Sequence, residues 1–122
     1  MARRAVKPLR PRSRAAVIAA LAEVQRDLRA FRPRGFGPPV HAAPIQSRIL
    51  LVGQAPGPHE ARIGRPFAWT AGKTLFRWLR EATGADEEGV RERIYIAAVV
   101  HYFPGKTSDG GDRIPTPAEV AR

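Results

Sequence analysis

The residues of this chain best suited to chemistry lie in one stretch: Gly53, Gln54, Ala55, Pro56 and Gly57, then Glu60, Arg65, Phe67 and Lys73. Glycines on both sides of a proline make a stiff turn whose backbone a ligand can approach closely. Gln54 brings a neutral amide, which positions water but is a weak general base. Arg65 and Lys73 are candidates for phosphate contact, and Phe67 offers a flat ring. Three chemistries compete. The first is a phosphate loop, prompted by Ala71-Gly72-Lys73-Thr74. That motif requires a glycine five residues before Gly72, where this chain has Phe67, and no GxGxxG is present. The second is a turn with a purely structural role. The third is a pocket for a base. Metal chemistry is disfavoured, because His41, His59 and His101 lack ligand spacing and the chain has no cysteine.

The elements that must position this stretch are legible from periodicity. Ser13 is a candidate N-cap for a helix carrying Val17, Leu21, Val24, Leu28 and Phe31 at alternating spacings of four and three. That stripe predicts a helix covering a sheet. Residues 32–47 form a Pro/Gly connector that crosses the edge of the core in extended form. Ile49 to Val52 read as a strand buried on both faces. Residues 53–69 show neither helical nor strand pattern and exceed the ~12–15 residues usual for a structureless connection, a length that tends to be functional. A helix resumes at Thr70 and ends near Gly84, residues 85–93 are charged and turn-like, and residues 94–100 are a second apolar strand. Strand, crossover helix and strand predict a parallel βαβ unit with the glycine-rich stretch at the carboxyl end of the sheet, where α/β folds bind ligands. Thr116-Pro117-Ala118-Glu119 is a helix-start signal. A helix begun so close to Arg122, and two strands with open edges, predict the N-terminal part of a longer domain or one completed by a partner.

Gly53-Gln54-Ala55-Pro56-Gly57, Glu60, Gly64-Arg65-Pro66-Phe67 and Ala71-Gly72 together resemble the uracil-DNA glycosylase superfamily, nearest to its GEAPG-motif branch. The likeness continues through residues 95–104 and the helix start at 115–119, covering about residues 45–122. It implies a three-layer α/β/α fold with a central parallel sheet, truncated at the C-terminus, spanning residues 15–122 behind a basic flexible tail at 1–14. It also implies a DNA N-glycosylase, a base-excision hydrolase acting on a flipped uracil or related deaminated base. In that scheme Gly53, Gln54, Ala55, Pro56, Gly57 and Phe67 bind the base, Phe67 by stacking. Gln54 is the candidate catalytic group, and Arg65 and Lys73 contact DNA phosphate. The chain also departs from the family. Gln54 stands where the nearest branch has an acid, and Ala55 where another branch has a water-activating Asp. Ala98 stands where relatives have a base-reading Asn. Many relatives hold an iron–sulfur cluster, yet no cysteine is available here, so no Cys-ligated cofactor is expected, and Tyr102 stands at an expected ligand position. The family's later His-bearing motif falls beyond Arg122.

Composition bounds the rest. The 122 residues suit one domain, and no apolar run approaches the ~18 residues of a membrane span. The net charge of +10 points to a polyanion, with DNA the first candidate partner. Arg3, Arg4, Lys7, Arg10, Arg12 and Arg14 precede any acid, and Pro8 and Pro11 argue against a targeting helix. The lack of cysteine is compatible with a reducing cytoplasm. The alternative function is a non-catalytic DNA-binding or degenerate glycosylase-like fragment, motivated by Ala55 and Ala98.

Overall fold

The computed structural model describes residues 13–31 and 34–121. The expected basic tail, apart from Ser13 and Arg14, lies outside the described residues. The element order is α1 (Arg14–Phe31), β1 (Ile49–Gly53), α2 (Pro58–Ile63), α3 (Thr70–Thr83), α4 (Glu87–Arg93), β2 (Ile94–Ala98) and α5 (Pro117–Val120). It is an α/β arrangement with a small parallel sheet. β1 pairs with β2 in a register that sets Ile49 opposite Ile94 and Gly53 opposite Ala98. The ladder runs on past the strands, with Val99 N donating to Gly53 O and Val100 N to Gln54 O, both at 3.0 Å.

Alternation along a strand sends successive side chains to opposite faces. Ile96 is fully buried and forms the core with Phe76 of α3 and Val90 of α4, and Leu51, Phe67 and Leu79 pack against it. Burial of α3 has a plain cause. Its apolar residues Leu75, Phe76 and Leu79 share one stripe, and Gly84 closes it in the left-handed conformation at φ 74°. The other face of β1 is open. Leu50 is 62% and Val52 53% exposed, so the expectation of a strand buried on both faces fails for β1. α3 and α4 pack against the face that carries Leu51 and Ile96.

α1 forms as expected, with Ser13 Oγ accepting from Ala16 N. Its apolar stripe is not its buried face, however. Val24 and Phe31 are more than half exposed, and the buried residue is Gln25. The reason is a demand for donors. Gln25 Nε2 donates to Ala42 O at 2.8 Å and to the Tyr95 hydroxyl at 3.2 Å, so the helix turns its amide toward the connector and β2. The Tyr102 hydroxyl donates to Leu28 O and so ties the same helix to the segment after β2. That segment pairs antiparallel with the connector, with Val40 N donating to His101 O at 2.8 Å.

Two other expectations are corrected. Residues 87–93 are helical, not turn-like. Asp86 caps them by accepting from Gly89 N at 2.8 Å, and acids in the first turn with arginines in the last match the helix dipole. The run of charge hides a helix because only Val90 is buried. β2 ends at Ala98 rather than Val100, where the chain bends toward the connector. α5 is only four residues long, yet it is anchored. Thr116 Oγ1 accepts from Glu119 N, and Arg113 grips the Glu119 carboxylate through two nitrogens at 2.8 and 2.9 Å. Among the described residues no helix is long and apolar enough to cross a membrane.

His101 gives this junction a pH signature. Burial, and secondarily His41 nearby, hold its imidazole below the ordinary value of about 6.5. The folded state therefore favours the neutral ring, and the unfolded chain takes up the proton first as pH falls. The stabilisation is complete above the unfolded value and is lost as pH drops through the folded one. The urea midpoint should decline between pH 7 and 5, and His101→Gln should flatten that decline. A variant curve parallel to wild type would show that His101 does not carry it.

Candidate functional site

At the carboxyl ends of β1 and β2 the chain forms a half-open cavity of about 240 Å³. Gly53, Gln54, Ala55 and Pro56 form one wall, and Phe67 with Pro66 forms the opposite one. Ala97 and Ala98 lie at the strand end, and Glu60 of α2 and Ala71 of α3 complete it. A second hollow between α1 and α5, walled mainly by Leu28, Phe31, Phe36 and Tyr102, shares no lining residue with this cavity.

The loop is built from its backbone outward. The carbonyls of Gly53 and Gln54 are held by Val99 N and Val100 N, so the start of the turn extends the ladder. The expectation of no regular structure across residues 53–69 is corrected by α2. Gly57 is its N-cap, Pro58 sits in the first turn, and Glu60 reaches back so that its Oε2 accepts Gly57 N at 3.2 Å. A Cβ on Gly57 would lie 2.9 Å from that oxygen, so a side chain there would push the Glu60 carboxylate aside. Six residues with no apolar stripe were too short to show a period, although the Gly-Pro-x-Glu spacing is a capping signal.

Phe67 is held in an unusual way. It has φ 54°, the one positive value at a non-glycine among the described residues, a conformation that costs an aromatic residue about 1–3 kcal/mol. Three contacts hold it there. Gly72 gives its carbonyl room, since a Cβ on that residue would fall 1.7 Å from Phe67 O. Arg91 Nη2 donates to the same oxygen at 3.3 Å. The ring lies against Gly53, where an added Cβ would stand 3.4 Å from Phe67 Cε2. Arg91 is itself packed: its guanidinium lies 4.5 Å from the centre of the Phe76 ring and pairs with Glu87 at 2.9 Å. Desolvation lowers its pKa from the ordinary arginine range, partly opposed by the Glu87 hydrogen bond.

The cavity thus gathers Gly53, Gln54, Ala55, Pro56 and Phe67, with Gly57 beside it as the α2 cap. Gln54 is exposed and its side chain makes no hydrogen bond among the described residues. Arg65 and Lys73 stand outside the cavity: Arg65 is paired with Glu88, and the Lys73 ammonium lies 5.4 Å from the centre of the Trp69 ring. Sequence reasoning gave no role to two residues of the site. Glu60, named there only as part of the motif, is the carboxylate of the cavity wall. Arg91 carried no signal at all, being one arginine in a charged run. Among the described residues no group of three His, Asp or Glu side chains is arranged to hold a metal ion.

A parallel strand–loop–helix with an aromatic wall opposite a glycine-rich turn defines an α/β protein with a pocket at the carboxyl ends of its strands. The family model described as the Uracil DNA glycosylase superfamily matches residues 39–122, and the chain belongs to that family. It is 40% identical over 78 residues to a "Type-4 uracil-DNA glycosylase" of Thermotoga maritima, covering 63% of this chain and 35% of that protein. A protein of the same name from Sulfurisphaera tokodaii is 36% identical over 64 residues, covering 52% of this chain and 27% of the relative. One from Saccharolobus solfataricus is 34% identical over 64 residues, with 52% and 28% covered. The chain therefore spans about a third or less of the length of these relatives.

The Phe67 clamp is testable through its smallest member. Gly72→Ala puts a methyl group on the Phe67 carbonyl, so the loop must move or the fold must loosen. A loss of about 2 kcal/mol or more in urea unfolding is expected, well above the usual effect of a helical Gly→Ala exchange. An unchanged or raised stability would contradict the contact.

Proposed function

We propose that this chain carries the base-binding part of a DNA N-glycosylase that hydrolyses the bond between deoxyribose and a flipped uracil or related deaminated base. The observation that carries the reading is the cavity walled by Gly53–Pro56 on one side and the fixed Phe67 ring on the other. A glycosylase takes its target out of the stack and reads the flipped base by stacking and by hydrogen bonds to its edge. Phe67 offers the stacking face. With Ala97 and Ala98 at the strand end, no side-chain amide is available there to read the base edge, so selectivity falls to backbone groups.

The hydrolysis needs a water at C1′ and relief of charge on the departing base. Gln54 is placed to orient the water. Glu60 supplies the basic oxygen that Gln54 and Ala55 lack: its Oε2 takes the Gly57 amide, and its second oxygen is available to accept the water's proton. As the water oxygen bonds to C1′, the glycosidic electron pair leaves with the base. Lys73 contributes a phosphate contact. Arg65 does so only by exchanging its Glu88 partner. The basic residues of 1–14 add nonspecific affinity, consistent with the net charge of +10.

The finer architecture belongs to the same proposal. α3 and α4 cover one face of the sheet, and α1 approaches the other through Gln25 and Tyr95, as a three-layer α/β/α domain over residues 15–122 requires. The cluster carried by many relatives does not fit this chain. Where a ligand cysteine is expected, Tyr102 packs its ring against Phe31 and Phe36 and gives its hydroxyl to Leu28 O. With no thiolate in the chain, no step runs through such a group. The absence of cysteine also accords with a cytoplasmic setting.

The decisive assay is alkali-labile cleavage of duplexes containing uracil, hypoxanthine or xanthine. Strand scission at the lesion is expected. Phe67→Ala should weaken lesion-specific binding by about fivefold or more, the scale of one lost stack. Glu60→Gln should cut turnover by about a hundredfold with binding retained. The second reading, a non-catalytic DNA-binding relative, is favoured by the neutral pair Gln54-Ala55. Salt-sensitive binding indifferent to the lesion, with no scission, would establish it.

A further inference from the structure

Beside the cavity mouth, α2 and α3 bring together a group that the pocket does not use. Trp69, the N-cap residue of α3, is 41% exposed. The His59 ring from α2 stacks on it at 4.0 Å between centres and 16° between planes. The Lys73 ammonium stands 5.4 Å from the centre of the same indole. Arg62 donates to His59 Nδ1.

We propose that Trp69, His59, Arg62 and Lys73 form a contact site for the DNA strand flanking the nucleotide held in the cavity. Position is the first support: Glu60, next to His59, and Ala71, two residues after Trp69, both line the cavity, so the patch forms its rim. Charge is the second. Arg62 and Lys73, which have no carboxylate within salt-bridge reach among the described residues, are both joined to the stacked His59–Trp69 pair, whereas neighbouring Arg65 is held by Glu88. Glu60, the acid nearest Arg62 in sequence, is turned inward to Gly57 N. Preorganisation is the third. An indole already ordered by a ring stack and a cation loses little freedom on meeting a ligand. Stacking surface interleaved with unpaired cations is the chemistry that tracks a nucleic-acid strand without reading its sequence. The phosphates meet Arg62 and Lys73, and the indole meets sugar or base. The proposal rests on the glycosylase reading only in taking DNA as the ligand.

The test uses the full chain with Trp78→Phe, which leaves Trp69 as the sole tryptophan of the two. Single-stranded oligonucleotides with and without uracil are titrated while indole emission and the anisotropy of a labelled strand are followed together. The proposal expects emission to change along the anisotropy isotherm for both oligonucleotides. Trp69→Phe should lower affinity by about fivefold or more. The double variant Arg62→Ala/Lys73→Ala should reduce the slope of log affinity against log salt by roughly 1.4, about 0.7 for each phosphate on a single strand. The control Arg48→Ala/Arg93→Ala, which removes equal charge at the amino ends of the two strands, away from the cavity, should leave the slope nearer to wild type. Binding by anisotropy with unchanged indole emission, or equal slopes for the two double variants, overturns the rim site while leaving uracil excision to be judged by strand scission. No binding to either oligonucleotide, or equal emission change with polyglutamate, also overturns it.

Discussion

The contact on which the site depends is the carbonyl of Phe67. It rests against the bare Cα of Gly72 and accepts a hydrogen bond from Arg91. A backbone turn at positive φ is unfavourable for an aromatic residue, so it persists only where its surroundings leave no easier conformation. Here α3 supplies the space and α4 the donor, and both helices are tied to β2 through the core of Phe76, Val90 and Ile96. The ring that walls the cavity is thus aimed by the hydrophobic core behind it. A site built on strand ends and helix starts in this way keeps its geometry better than one carried by a free loop.

Much of this was legible in the residues, for identifiable reasons. The two strands, the crossover helix and the parallel arrangement followed from apolar runs and a 3.6-residue stripe, because burial against a core leaves that period in the sequence. The pocket loop announced itself through Gly53, Pro56, Gly57 and Phe67. Other features left no such trace. α4 buries a single side chain, so its charges read as a turn. α1 turned Gln25 inward because the connector's carbonyl and Tyr95 required a donor, and no hydropathy pattern encodes that demand. Arg91 acts through tertiary contacts with residues far from it in sequence, which spacing cannot register.

The attachment of α1 follows a different logic from the core. Instead of an apolar face pressed on the sheet, polar and aromatic groups fasten it: Gln25 to Ala42 and Tyr95, Arg29 to His41, and Tyr102 to Leu28 and Phe31. Such bonds are directional, so they set the helix's rotation more sharply than burial would, at the expense of leaving Val24 and Phe31 in water. The half-buried His101, whose pKa burial lowers, lies at this junction and gives it a group that titrates as the pH falls.

The ladder that continues past β1 has an evolutionary consequence. Val99 N and Val100 N hold the carbonyls of Gly53 and Gln54, so the path of the loop at these positions is set without help from the side chain at 54. That side chain faces solvent and is bound to no described neighbour. Amide and carboxylate are nearly the same size, and either can occupy such a position without disturbing the turn. The scaffold therefore separates shape from reactivity, and one exchanged atom group at position 54 could retune the chemistry while leaving the pocket intact.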